Sequence, residues 1–322
     1  MRNKMRKNRT KLLFLALALS TGNVLNANNQ DVSKDVKKPP IEIRIENGRG
    51  KVIERPENNN SGNSVSGRGG MQTIRNSAGS ITVDSSYSSK GQNYRQRFII
   101  LHYTAMDRDG SLRALTNNEV SAHYLISNQK NDPVFYLVDE NRRAWHAGAS
   151  EWKTSKNLND SSIGIEIVNS GNVSGSFEPF RDFQIKDVAV LVKYLADKYE
   201  IPATNILGHS DIAPQRKPDP GPLFPWEELY RKYNIGMWYD NARKSAFENE
   251  YSLSWASLPA ATVQAELSKF GYSISTTGRW DEQTKNVIKV FQYHFRPSKY
   301  DGKLDLETYA ILKALNEKYN KQ

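Results

Sequence analysis

The chain has 322 residues, 38% apolar and 25% charged, which suits a soluble globular protein of two domains with polar padding. Its formal charge is +10, and six of those cations (Arg2, Lys4, Arg6, Lys7, Arg9 and Lys11) crowd the N-terminus, leaving +4, too little for the footprint of a nucleic-acid binder. Cysteine is absent, which excludes disulfides, thiolate metal ligands, a cysteine nucleophile and a lipid-modified N-terminal cysteine, so any metal must sit on His, Asp or Glu.

Residues 1–27 carry the order of an export signal. The cationic start is followed by a short apolar run, Leu12 to Leu19, then by small and polar residues up to Ala27. The run is too short to span a bilayer comfortably, and no later segment is apolar enough to do so. Residues 28–83 are rich in Asn, Ser, Gly and charge and are expected to form a flexible polar linker, with Ile41 to Ile45 alternating as a short strand would.

Order is expected from about Val83. Phe98 to Leu101 is a continuous apolar run, the pattern of a buried central strand. Phe135 to Val138, Ile163 to Val168 and Ile206-Leu207 also predict strands. Ile185, Val188, Leu191, Leu195 and Tyr199 recur at spacings of three and four and predict a helix over Asp182–Glu200. The fold class is therefore α/β, a mixed central sheet flanked by helices.

The tail differs. Gly278-Arg-Trp-Asp281 is echoed by Gly302-Lys-Leu-Asp305, and each Asp is placed to cap the helix that follows. With a helix over Ala261–Phe270, this predicts a small all-α three-helix unit. Its expected core is Val263, Leu267, Val287, Phe291, Tyr309, Leu312 and Leu315.

The five histidines are His102, His123, His146, His209 and His294. His102 and His209 lie at predicted strand ends, where a rigid support presents functional groups. Asp219 follows His209 by ten residues in a proline-stiffened loop. Two imidazoles and a carboxylate form a common zinc set that leaves a fourth position for water. Spacing alone fits hydrogen-bonded structural histidines equally well. In Ile163-Gly-Ile-Glu-Ile-Val168, alternation sets Glu166 on the face opposite the isoleucines. A carboxylate in so apolar a strand needs a partner, either a metal-activated water or a structural cation. Lys217, two residues from Asp219, is either a stabiliser of a developing oxyanion or a solvated surface lysine.

Longer motifs carry a resemblance. His102-Tyr-Thr-Ala105, Val120-Ser-Ala-His-Tyr124, Ala144-Trp-His-Ala-Gly148, Asn159 to Glu166, and Gly208 to Trp226 with its Lys217-Pro-Asp-Pro-Gly221 core occur in family order. Over residues 84–320 the chain resembles the zinc N-acetylmuramoyl-L-alanine amidases of the amidase_2 family, of the AmiD type, which are related in fold to the peptidoglycan recognition proteins. The resemblance implies a zinc amidase domain at 84–240 and a peptidoglycan-binding domain at 250–322. It implies Zn2+ on His102, His209 and Asp219, Glu166 as catalytic carboxylate and Lys217 as oxyanion-stabilising cation. The implied reaction is hydrolysis of the amide between the lactyl group of N-acetylmuramic acid and L-alanine. His123 and His146 are expected to line the substrate cleft or to orient a metal ligand from behind. Trp145 is expected to pack rather than stack on sugar, and His294 to be structural.

The implied partners are peptidoglycan and muropeptides, with no nucleic acid and no transmembrane segment in the mature chain. Without a cysteine to carry lipid, the enzyme is expected in the periplasm, soluble or wall-associated. A non-catalytic muropeptide-recognition module is the alternative, disfavoured because the inferred ligands, Glu166 and Lys217 are all present. Truncation near residue 245 is expected to weaken wall binding more than hydrolysis of small fragments.

Overall fold

Strand pairing uses main-chain groups, so a Ser- and Gly-rich stretch still forms ladders where short turns fold it back. The computed structural model describes residues 41–46, 49–54, 65–66 and 70–320; the signal expected over residues 1–27 lies outside them. Within the stretch read as linker, β1 (Ile41–Glu46) pairs antiparallel with β2 (Arg49–Glu54). β3 (Val65–Ser66), β4 (Met71–Asn76) and β5 (Gly79–Asp84) form a second antiparallel sheet. β5 is exposed along its whole length, Ile81 and Val83 included, so its two alternating apolar residues cover no core.

The apolar runs build the central sheet. β6 (Phe98–Tyr103) precedes α1 (Arg108–Leu115), β7 (Tyr124–Ile126) and β8 (Phe135–Tyr136). Two short hairpins, β9 (Glu151–Trp152) with β10 (Ser155–Lys156) and β12 (Asn172–Val173) with β13 (Ser176–Phe177), flank β11 (Ser162–Ile167). α2 (Asp182–Tyr199) then leads to β14 (Ile206–Gly208), α3 (His209–Ile212) and α4 (Trp226–Tyr233). The sheet order is β14-β6-β11-β7-β8, parallel throughout except for the antiparallel edge strand β8. α2 covers the sheet with the predicted stripe, as Ile185, Val188, Leu191, Leu195 and Tyr199 are all buried. Among the described residues, no helix is long and apolar enough to cross a membrane.

The tail holds α5 (Asn241–Tyr251), α6 (Ala260–Phe270), α7 (Glu282–Phe295) and α8 (Leu306–Tyr319). All seven predicted core residues of the three-helix unit are buried. The repeat extends to hydrogen bonding. Asp281 Oδ1 accepts from Thr284 N and Asp305 Oδ1 from Thr308 N, each at 2.9 Å, capping α7 and α8. Gln264 and Gln292 play matching buried roles: each accepts from the glycine opening its repeat, Gly278 or Gly302, at 2.9 Å. The unforeseen α5 packs on α8, with Arg243 paired to Glu317 at 2.6 Å.

Sheet and tail share one continuous core. Trp152 lies edge-on to Phe270 and Tyr272, with centroids 5.8 and 5.1 Å apart. Between those two residues, Gly271 adopts φ +147°, and a Cβ there would stand 2.7 Å from the Trp152 ring, so no other residue fits at this junction.

Candidate metal centre

Parallel strands in register deliver side chains in a row at their C-terminal ends, where open α/β sheets place their sites. His102 pairs with Glu166 across β6 and β11, and Leu101 pairs with Gly208 across β6 and β14, which sets His209 one step beyond its strand. The loop after α3 returns Asp219, anchored by Ser210 N donating to the Asp219 carbonyl at 2.7 Å.

The three predicted ligands converge. His102 Nδ1 lies 2.9 Å from His209 Nδ1, and each lies 3.0 Å from Asp219 Oδ2. All three residues are buried. Ligands at zinc distances of about 2.0–2.1 Å define a tetrahedron with edges of about 3.3 Å, so a few tenths of an ångström of opening accommodates the ion. The donor set fits a divalent cation on a second count. His209 Nε2 donates to the Ala147 carbonyl at 3.0 Å, which leaves its Nδ1 as a bare lone pair facing the other two donors.

Burial and the neighbouring His209 depress the His102 pKa to about 4. His146 is held well below its ordinary range by burial, then by His102. Burial opposes ionisation of Asp219, but the adjoining His209 and His102 outweigh it and keep the carboxyl well below its usual range. At neutral pH the centre therefore offers a neutral His102 imidazole and an ionised Asp219 carboxylate, the forms that bind metal.

Glu166 Oε2 is buried with no hydrogen-bond partner among the described residues. Burial, then the Asp219 charge, push its pKa up to about 8, while Lys217 pulls it down.

The chain is similar to known proteins. The family model of N-acetylmuramoyl-L-alanine amidase matches residues 92–222, and that of a peptidoglycan binding domain matches residues 259–312. The N-acetylmuramoyl-L-alanine amidase AmiD of Escherichia coli K12 is 41% identical over 234 residues, 70% of this chain and 84% of the relative. The chain belongs to the N-acetylmuramoyl-L-alanine amidase family. The crystal structure of AmpDh3 from Pseudomonas aeruginosa superposes on this amidase with TM-score 0.70 at 42% identity, covering 75% of this chain and all of that one. E. coli AmiD in complex with anhydro-N-acetylmuramic acid-L-Ala-D-gamma-Glu-L-Lys does so with TM-score 0.66 at 37% identity, covering 75% of this chain and 96% of that one.

The remaining candidates divide. His146 Nδ1 lies 3.0 Å from His102 Nε2, directly behind a ligand. Gly164 makes room for it, since a Cβ there would stand 2.4 Å from the His146 ring. His123 is fully enclosed and bonds only main chain, accepting from Gly164 N at 3.0 Å and donating to the Arg142 carbonyl at 3.1 Å. Trp145, expected to pack, is 52% exposed. His294 lies in α7 with Nδ1 2.8 Å from Asp211 Oδ2. The sequence reading passed over Asn159, whose Oδ1 accepts from His146 N and Ala147 N at 3.1 and 2.7 Å and so positions both groups that back the ligands. It also passed over Ser162, which bonds His146. Both lie within motifs the resemblance rests on, but only proximity in space gives them a task.

Proposed function

We propose that this chain hydrolyses the amide between the lactyl group of N-acetylmuramic acid and L-alanine in peptidoglycan and its fragments, with zinc held by His102, His209 and Asp219. The observation that carries the reading is the convergence of those three donors beside a register-paired carboxylate whose Oε2 is buried and unpartnered. Zinc bound there supplies Lewis acidity that acidifies water and polarises a carbonyl. Glu166 takes the proton of the attacking water and passes it to the leaving nitrogen of L-alanine; its raised pKa suits a group that must both accept and return a proton near neutrality. The Lys217 ammonium has no hydrogen-bond or ion-pair partner among the described residues and its charge acts on Glu166, so it is available to the carbonyl oxygen as negative charge develops. In a digest of purified peptidoglycan with zinc-loaded enzyme, mass spectrometry should find free stem peptides; intact muropeptides would sink the proposal.

His146 acts in this reading as a positioning residue. The Leu158 carbonyl can only accept, so the Ser162 hydroxyl donates to it at 2.5 Å and accepts from His146 Nε2–H at 3.1 Å. His146 Nδ1 is then a lone pair that accepts from His102 Nε2–H at 3.0 Å. His102 Nδ1 is left unprotonated, facing His209 and Asp219. One carbonyl thereby sets the tautomer of a metal ligand three hydrogen bonds away. Ser162→Ala should weaken zinc binding roughly 10–100-fold in chelator competition, and Ser162→Thr, which keeps the hydroxyl, should restore it. Unchanged affinity in Ser162→Ala would refute this role.

Residues 84–240 are the catalytic part in this proposal and 250–322 the wall-binding part. Export to the periplasm is supported by the cationic, apolar and small-residue order of residues 1–27. A mature protein whose N-terminal sequence still begins at Met1 would contradict cleavage there.

A further inference from the structure

The two copies of the tail repeat meet at a cavity of about 350 Å³ that the catalytic reading does not use. Trp280 and Asp281 of the first copy and Lys303 and Leu304 of the second line it, together with Trp255 and the buried Ile288. Trp280 is 54% exposed. Neither it nor Trp255 packs against another ring among the described residues, whereas Trp152 does so edge-on and Trp226 and Trp238 by stacking. The Asp281 carboxylate is engaged within the fold, by Thr284 N on Oδ1 and by the Thr277 hydroxyl on Oδ2 at 2.7 Å. The exposed Lys303 ammonium has no hydrogen-bond or ion-pair partner among the described residues, and Lys285 beside it holds only Glu282 at 3.5 Å. The cavity thus combines idle indole faces with available positive charge.

We propose that this cavity binds the glycan strand of peptidoglycan, with Trp280 and Trp255 against sugar rings and Lys303 toward carboxylates of the attached peptide. The choice of wall polymer rests on the amidase reading above. An N-acetylhexosamine ring presents a face of C–H groups that an indole covers well, and a pocket of this size with a few polar groups suits one or two such rings. The lysines match the anionic groups of the stem peptide. Position supports a site separate from the metal centre. Asp281, Lys285 and Ile288 share one face of α7, while Gln283 and Asn286 on the other face bond Gln215, two residues before Lys217. One helix, about 10 Å across, therefore separates the cavity from the catalytic loop, and the wall can be held while a neighbouring stem is cleaved.

The test uses the full chain with purified insoluble sacculi. Trp280→Ala and Lys303→Glu change exposed side chains, so the fold should survive; far-UV dichroism and turnover of soluble muropeptides check this. Each variant should sediment with sacculi roughly ten-fold more weakly than wild type while hydrolysing soluble muropeptides at the wild-type rate. Sedimentation of Trp280→Ala equal to wild type overturns the proposal and leaves the amidase reading intact. So does a changed oligomeric state in gel filtration with unchanged wall binding, which would make the cavity a contact between copies of this chain. Trp280-dependent wall binding by an enzyme that releases no stem peptides would instead defeat the amidase reading and leave the cavity assigned.

Discussion

Glu166→Gln should lower turnover of soluble muropeptides by about 10²–10⁴-fold while leaving zinc content unchanged, because Glu166 touches none of the three ligand atoms in the described structure. The substitution keeps the shape of the side chain and removes its capacity to take a proton. A second consequence separates this role from simple damage. Burial and the Asp219 charge raise the Glu166 pKa from its ordinary 4.5 to about 8. A carboxyl with a higher pKa folded than unfolded holds its proton more tightly in the folded state. Its stabilising contribution is therefore complete below about pH 4.5 and is lost as pH rises through about 8. Metal-free wild type should lose roughly a few degrees of Tm against metal-free Glu166→Gln between pH 5 and pH 8.5. Parallel melting curves across that range, or full activity of the variant, would remove Glu166 from the proton-transfer role.

Deleting residues 252–322 should abolish hydrolysis of soluble fragments as well as wall binding, contrary to what the sequence alone led us to expect. The tail is built into the support of the metal centre. Asp211, in the helix that begins at His209, accepts from Tyr272 OH at 2.8 Å and meets His294 Nδ1 at 2.8 Å, and it also accepts from Gly208 N at 2.8 Å. His294 stacks on Trp226 with centroids 3.9 Å apart, and Trp152 is sealed by Phe270 and Tyr272. Deletion exposes both tryptophans and leaves a buried carboxylate short of two partners. Each large apolar side chain returned to water costs about 1.5–3 kcal/mol, and a lost hydrogen bond to a charged group about 1.5–3 kcal/mol more. Against a total stability of about 5–15 kcal/mol, the remaining chain should not hold its metal loop. Chelator competition, thermal melting and muropeptide turnover on the truncated chain would check this, and wild-type turnover would refute it. The milder Tyr272→Phe should lower Tm without affecting the ligands directly.

These two results divide what could be read in advance from what could not. The strands at Phe98 and Ile163, the helix over Asp182–Tyr199 and the three tail helices were legible because burial on one or both faces imposes a period on apolar residues. The repeat was legible because both copies use the same cap, an Asp three residues before a Thr. Glu166 stood out because a carboxylate among isoleucines breaks that pattern. β4 and β5 escaped notice for the converse reason: an exposed ladder held by main-chain bonds needs no long apolar period, and the pair Ile81 and Val83 is too short to mark a strand within a Ser-, Gly- and Asn-rich stretch. The residue types of the centre were thus written in the sequence, and the family motifs gave their roles as expectations. Only the parallel register of β14, β6 and β11 brings His209, His102 and Glu166 side by side. Only the fold joins Leu158, Ser162 and His146 into a chain that sets the His102 tautomer, or makes a tail histidine a partner of Asp211. Local pattern records what a residue must hide from water, whereas these contacts link positions tens of residues apart whose separation along the chain carries no trace of their distance in space.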